Sequence, residues 1–150
     1  MNDRLAQEPF LVDTNILVYA YDKSEPRKQK MALAFLEYAK DNESSCTALQ
    51  NLCEFASVAS GKNLEIRQIL PAIVIDLKDM FHLVHYDAGT LERALQLIRK
   101  KEAPFWDALL AETMKENGIR TIVTENENDF EKIPWISVFN PFKGDFSISK

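Results

Sequence analysis

The chain has 150 residues, 46% of them hydrophobic and 27% charged, with a formal net charge of −5 at pH 7. This is enough for one domain with a buried core, while 4 glycines and 6 prolines leave no room for a Gly-rich linker or a collagen-like or disordered tract. The acidic balance excludes a protein that grips nucleic acid by bulk positive charge, but not one that meets a phosphodiester through bound cations.

The opening MNDRLAQEPF lacks a basic segment followed by an apolar run, so no secretory signal is expected. No stretch reaches the roughly 18 apolar residues of a membrane span, and a cytoplasmic protein is expected. Phe10-Leu11-Val12 is a short apolar run ending at Asp13, which reads as a buried strand of a parallel sheet. Asn15 to Tyr21 begins a helix. Pro26 opens an amphipathic helix through Lys40, with Met31, Ala34, Phe35 and Tyr38 on its inner face. Ser44 to Thr47 reads as a second strand. The next helix, Ala48 to Ser60, carries Leu49, Leu52, Cys53, Ala56 and Ala59 at helical spacing and stops at Gly61.

A further helix covers Glu65 to Met80, His82 to Tyr86 alternates like a strand, and Ala88 to Lys101 is amphipathic again. Pro104 starts a helix that ends at Gly118, and strands follow at Thr121 to Val123 and Ile136 to Phe139. Cys46 and Cys53 both lie in apolar surroundings; buried reduced thiols are the preferred reading, with a disulfide as the alternative. No cysteine or histidine spacing suggests zinc. His82 and His85 read as structural.

Strands alternating with helices imply βαβ units, right-handed crossovers and a parallel sheet, so a ligand belongs beyond the carboxyl ends of the strands. Acidic residues fall where that rule gives them meaning. Asp13 follows the first strand; Thr124, Asn126 and Asp129 follow the strand ending at Val123. Asp107 lies in the first turn of the helix begun by Pro104, and Glu54 lies inside an otherwise apolar helix. Taken singly, each has a plain structural use as a cap, a helix-start charge, a solvated flank or an Asx turn. Four carboxylates brought together would repel one another, and a hard divalent cation resolves that conflict.

The segments FLVDTNILVYAYD, NLCEFASVAS, APFWDALLAETMKENG and TIVTENENDFEKIPWISVFNPF together resemble the PIN domain family, in order and over nearly the whole chain. The resemblance is strongest to VapC-like toxin ribonucleases of toxin–antitoxin pairs. It implies a single PIN domain over residues 1–150, a three-layer α/β/α sandwich around a central parallel sheet. It also implies a metal-dependent endoribonuclease using Mg²⁺ or Mn²⁺, with Asp13, Glu54, Asp107 and Asp129 as catalytic metal ligands. Asn15 and Thr124 would support them. Many relatives carry an acid where this chain has Asn126, which offers a carbonyl but no charge; either Asn126 or Asp129 fills the fourth position.

The resemblance further implies RNA as substrate, an antitoxin protein covering the cleft (with an inserted arginine) and a homodimer. RNA could be guided by Arg27, Lys28 and Lys30 or by Arg99, Lys100 and Lys101, although solvated helix faces explain both clusters. The alternative is a non-catalytic PIN module that binds RNA or a partner protein. A haloacid-dehalogenase-type phosphatase would need an acid at Asn15, a receiver domain a different arrangement of acids and lysine, and a Rossmann dehydrogenase a Gly-rich turn after the first strand. None of these fits.

Overall fold

A computed structural model describes residues 3–101 and 103–143, with only the backbone described for Asp3, Arg4 and Leu64. Five strands build one sheet: β1 (Phe10–Val12), β2 (Ser45–Ala48), β3 (His82–Val84), β4 (Thr121–Val123) and β5 (Ser137–Phe139). Eight helices are present among the described residues: α1 (Asp3–Gln7), α2 (Thr14–Ala20), α3 (Pro26–Lys40), α4 (Leu49–Ser60), α5 (Leu64–Met80), α6 (Ala88–Arg99), α7 (Phe105–Glu116) and α8 (Glu127–Phe130). The strand order is β3-β2-β1-β4-β5, with every pairing parallel.

Side-chain alternation along the strands divides the core in two. Phe10, Val12 and Val123 join a cluster with Ile16, Phe35, Leu52, Phe55 and Leu77, from α2, α3, α4 and α5. Leu11 and Ile122, one residue out of step, point the other way into Ala94, Leu97, Leu109 and Met114 from α6 and α7, with Phe130 from α8. Helices therefore cover both faces, the three-layer α/β/α sandwich expected from the sequence. Short strands buried on both faces read as continuous apolar runs for this reason.

The winding reverses at β1. The chain steps outward through β2 and β3, then returns to add β4 and β5 on the other side. The register pairs Val12 with Val123, and the Asp13 amide continues the ladder to the Val123 carbonyl at 3.0 Å. A crevice at such a reversal point is where open α/β sheets take their ligands. At the far end of α7, Gly118 takes φ +68° while the Ile119 amide bonds the Met114 carbonyl at 2.9 Å, a helix stop that leads straight into β4.

Several details differ from the sequence reading. The fully buried face of α3 is Ala32, Phe35, Leu36 and Ala39, with Met31 and Tyr38 packed at its margin. In α4 the core side is Leu52, Phe55 and Ala59, while Leu49 and Cys53 are exposed. Cys53 is thus not a buried thiol; Cys46 is, and both are free. Burial pushes the Cys46 thiol up to about 11. His82 and His85 are both exposed. Among the described residues, no helix is long and apolar enough to cross a membrane.

Candidate active site

The reversal point carries a cavity of about 350 Å³ whose lining includes Asp13, Glu54, Asp107, Asn126 and Asp129. These residues come from four places in the chain: the end of β1, the middle of α4, the first turn of α7, and the loop and short helix α8 after β4. Asn15 also lines it, and Thr124 stands directly behind Asp13. All seven residues singled out from the sequence therefore meet at one place. None of the described residues lining the cavity is lysine or arginine.

Asp13 is almost fully buried and held by four donors. Its Oδ1 accepts from the Thr14 amide at 2.8 Å and from Asn51 Nδ2 at 3.1 Å. Its Oδ2 accepts from Thr124 Oγ1 at 2.8 Å and, more loosely, from Asn15 Nδ2 at 3.4 Å. Thr124 is fully buried, and its Oγ1 also accepts from Asn15 Nδ2 at 2.9 Å and from the Asn126 amide at 3.0 Å. One hydroxyl thus ties the acid after β1 to the loop after β4. Asn15 Oδ1 closes the ring by accepting from the Glu125 amide at 3.2 Å.

Glu54 is exposed, as are Asn126 and Asp129, while Asp107 is half-buried. Thr14 Oγ1 donates to its Oε2 at 2.9 Å and Gln50 Nε2 to its Oε1 at 3.1 Å. Asn51 Nδ2 also donates to Thr14 Oγ1 at 3.1 Å, so Asp13 and Glu54 belong to one network. Thr14, Gln50 and Asn51 were not singled out from the sequence. Their partners lie mostly far away in the chain, and no periodicity marks them. The one available signal is a buried polar pair, Gln50-Asn51, in the first turn of a helix that otherwise needs an apolar face.

The electrostatics follow from this crowding. Burial, and beyond it the charges of Glu54 and Asp129, outweigh the bonds from Thr124 and Thr14 and raise Asp13 to about 6. Asp107 is also raised to about 6, first by burial and then by Asp129, Asp13 and Glu54. Asp13 and Asp107 therefore both feel other acids through the cavity. Beside them, Glu125 is held below the ordinary carboxylate range: burial raises it, but bonds from Lys28 and Tyr19 prevail. Lys28 pairs with Glu125 and donates to Tyr19 Oη at 3.2 Å. It is committed at the rim of the cavity rather than free to recruit a strand.

The donor set suits a hard divalent cation, being carboxylates and a carbonyl oxygen with no basic counter-charge in the lining. Among the described residues, no three Asp, Glu, His or Cys side chains are gathered closely enough to enclose an ion. The acids stand around the walls of the cavity, as mutual repulsion requires.

Fold and site together define an α/β protein with a carboxylate-lined cleft at the switch point of a doubly wound sheet. The chain belongs to the PIN domain family, whose model matches residues 10–136. Solved structures agree in fold. FitAcB from Neisseria gonorrhoeae is 17% identical with a TM-score of 0.69, covering 89% of this chain and 99% of that one. DNA-bound VapBC from Salmonella typhimurium is 22% identical at 0.64, covering 90% and 99%. VapC20 from Mycobacterium tuberculosis, a toxin described as cleaving the sarcin-ricin loop, is 19% identical at 0.58, covering 83% and 98%. No curated protein sequence matches the chain.

Proposed function

We propose that this protein is a metal-dependent endoribonuclease, the toxin of a toxin–antitoxin pair. The observation that carries the proposal is the convergence of Asp13, Glu54, Asp107 and Asp129 on one cavity without a basic residue in its described lining. Mg²⁺ or Mn²⁺ would be held by these four carboxylates with help from the Asn126 carbonyl. Bound there, the ion supplies charge neutralisation at the phosphate and a water of lowered pKa.

The chain's own groups do the rest. Thr124, Asn15 and Asn51 fix Asp13 in one rotamer with its charge directed into the cleft. Thr14 and Gln50 do the same for the more exposed Glu54. No side chain in the cavity needs to act as a nucleophile, because in-line attack by water requires only positioning and charge. An antitoxin that covers the cleft with a basic side chain fits its acidity, and the toxin–antitoxin complexes among similar folds support such a partner. A homodimer and a cytoplasmic location belong to the same reading.

A non-catalytic module is the second reading, favoured by Asn126 standing on the cavity wall without a charge. One experiment separates the two. Purified protein is incubated with labelled single-stranded RNA and with structured transfer RNA in Mn²⁺, in Mg²⁺ and in EDTA, beside Asp13→Asn and Asp107→Asn preparations. Cutting that needs metal and both aspartates supports the nuclease. Cutting that survives in either variant, or in EDTA, overturns it.

A further inference from the structure

A second depression lies beside the acidic cavity, along the same edge of the sheet. It encloses about 660 Å³ and is lined by residues including Leu49, Gln50, Glu54, His85, Tyr86 and Trp106. α4 supplies one wall, the segment after β3 another, and the first turn of α7 the third. The acidic cavity lies beyond β1 and β4; this groove lies beyond β2 and β3. Glu54 lines both. Trp106 is the residue before Asp107, and its carbonyl accepts from Gln50 Nε2 at 3.1 Å, from the same amide group that holds Glu54.

The groove is built from side chains that ordinary packing would bury. Trp106 is 57% exposed, Leu49 46% and Tyr86 44%. Phe105 meets the Trp106 ring edge-on at 4.9 Å between centroids, which orients the indole at little entropic cost on binding. Gln50, itself 8% exposed, leaves Oε1 buried with no hydrogen-bond partner among the described residues. An acceptor left unmet in that position asks for a donor.

We infer that this groove is a nucleobase subsite, in which an unpaired base of the RNA strand stacks on Trp106 and Tyr86 while the adjoining phosphate occupies the acidic cavity. The inference rests on the nuclease reading, and it names where the strand goes on leaving the cleft. Charge selects the base rather than the backbone: Glu54 is the one carboxylate in the described lining, which holds no lysine or arginine, and it repels phosphate while leaving a neutral ring unaffected. The exposed ring faces offer stacking, which every base can use, and Gln50 Oε1 offers an acceptor to a base N–H after a small turn of its amide. The volume suits one or two bases.

The test uses the full chain carrying Asp13→Asn, expected to abolish cutting, and Trp135→Phe, so that Trp106 is the remaining indole. Its fluorescence is followed in Mg²⁺ on titration with a short single-stranded RNA and with an abasic ribose-phosphate strand of equal length. Quenching by the RNA but not by the abasic strand is expected. Trp106→Ala should weaken RNA binding by roughly ten-fold or more, and Trp106→Phe should restore most of it. In the active chain Trp106→Ala should raise KM more than it lowers kcat. Equal quenching by the two strands, or unchanged affinity in Trp106→Ala, would overturn the inference while leaving metal-dependent cutting intact. Base-dependent quenching with no cutting by the wild type would instead keep the subsite and remove the nuclease.

Discussion

Thr124 offers the sharpest test of how the site is held together. Replacing it with valine removes one hydroxyl from a fully buried position while keeping its shape. That hydroxyl donates to Asp13 Oδ2 at 2.8 Å and accepts from Asn15 Nδ2 at 2.9 Å and the Asn126 amide at 3.0 Å. The first bond is charge-assisted, and the other two leave donors stranded when it is lost. Asn15 Nδ2 keeps only its looser 3.4 Å contact with Asp13. A bond to a charged group contributes ~1.5–3 kcal/mol and an orphaned buried donor costs ~1–3 kcal/mol, so a loss of roughly 2–4 kcal/mol is expected after relaxation. For a chain of this size that is about 5–15 °C in Tm. Because the Thr124 bond also pulls Asp13 down, its pKa should climb further above about 6, and Mn²⁺ binding should shift to higher pH. Thermal unfolding and Mn²⁺ titration across pH would measure both effects, with Thr124→Ser as the rescue. If Thr124→Val were as stable as Thr124→Ser and bound Mn²⁺ over the same pH range, the hydroxyl would not be the tie described here.

Further expectations concern the other acids and the thiols. Burial raises Asp13 to about 6 in the folded chain from an ordinary 3.8, so the folded state holds its proton more tightly than the unfolded one. Its contribution to stability is therefore complete below the unfolded pKa and lost as pH rises through the folded value, by up to roughly 3 kcal/mol. Asp22, Asp87, Glu125 and Glu127 are lowered and act in the opposite sense, so the quantity to measure is the pH dependence of denaturant stability in wild type minus that in Asp13→Asn, in EDTA. Asp107 is raised by burial and by its three acidic neighbours, so Asp107→Asn should unfold at higher temperature than wild type in EDTA near neutral pH and lose activity. A lower Tm with activity retained would refute that. Native protein should expose one thiol, Cys53, to a water-soluble thiol reagent, with Cys46 reacting only on unfolding; two fast thiols would contradict the packing of β2.

Strand and helix positions were legible because apolar runs and periodic faces are local signals. Pro26–Lys40 agrees with α3 to the residue and Thr121–Val123 with β4. The sequence reading omits α1 and α8, which are 5 and 4 residues long, too short for periodicity to register. The misassigned face of α4 has a more informative cause. Leu49 and Cys53 are spaced as core residues but line the groove beside Trp106, so apolar spacing marks two faces of that helix and the sequence does not say which one is buried. The acids and Asn15 were found because strand ends point at a ligand edge, a rule of topology. Gln50, Asn51 and Thr14 act through bonds that cross from α4 to the end of β1 and the start of α7. Those pairings depend on strand order, which no local pattern carries.

Whether the four carboxylates hold a divalent cation is settled most directly by calorimetric titration of Mn²⁺ into the wild-type chain at a pH near 6, in two buffers of different ionisation enthalpy. Burial and the neighbouring acids raise Asp13 and Asp107 to about 6, so binding there should release protons and give a heat that changes with the buffer. Asp107→Asn should bind weakly and release fewer protons. Buffer-independent heat, or the same affinity in Asp107→Asn as in wild type, would mean that the cation sits elsewhere and that the acidic cleft is not the metal centre.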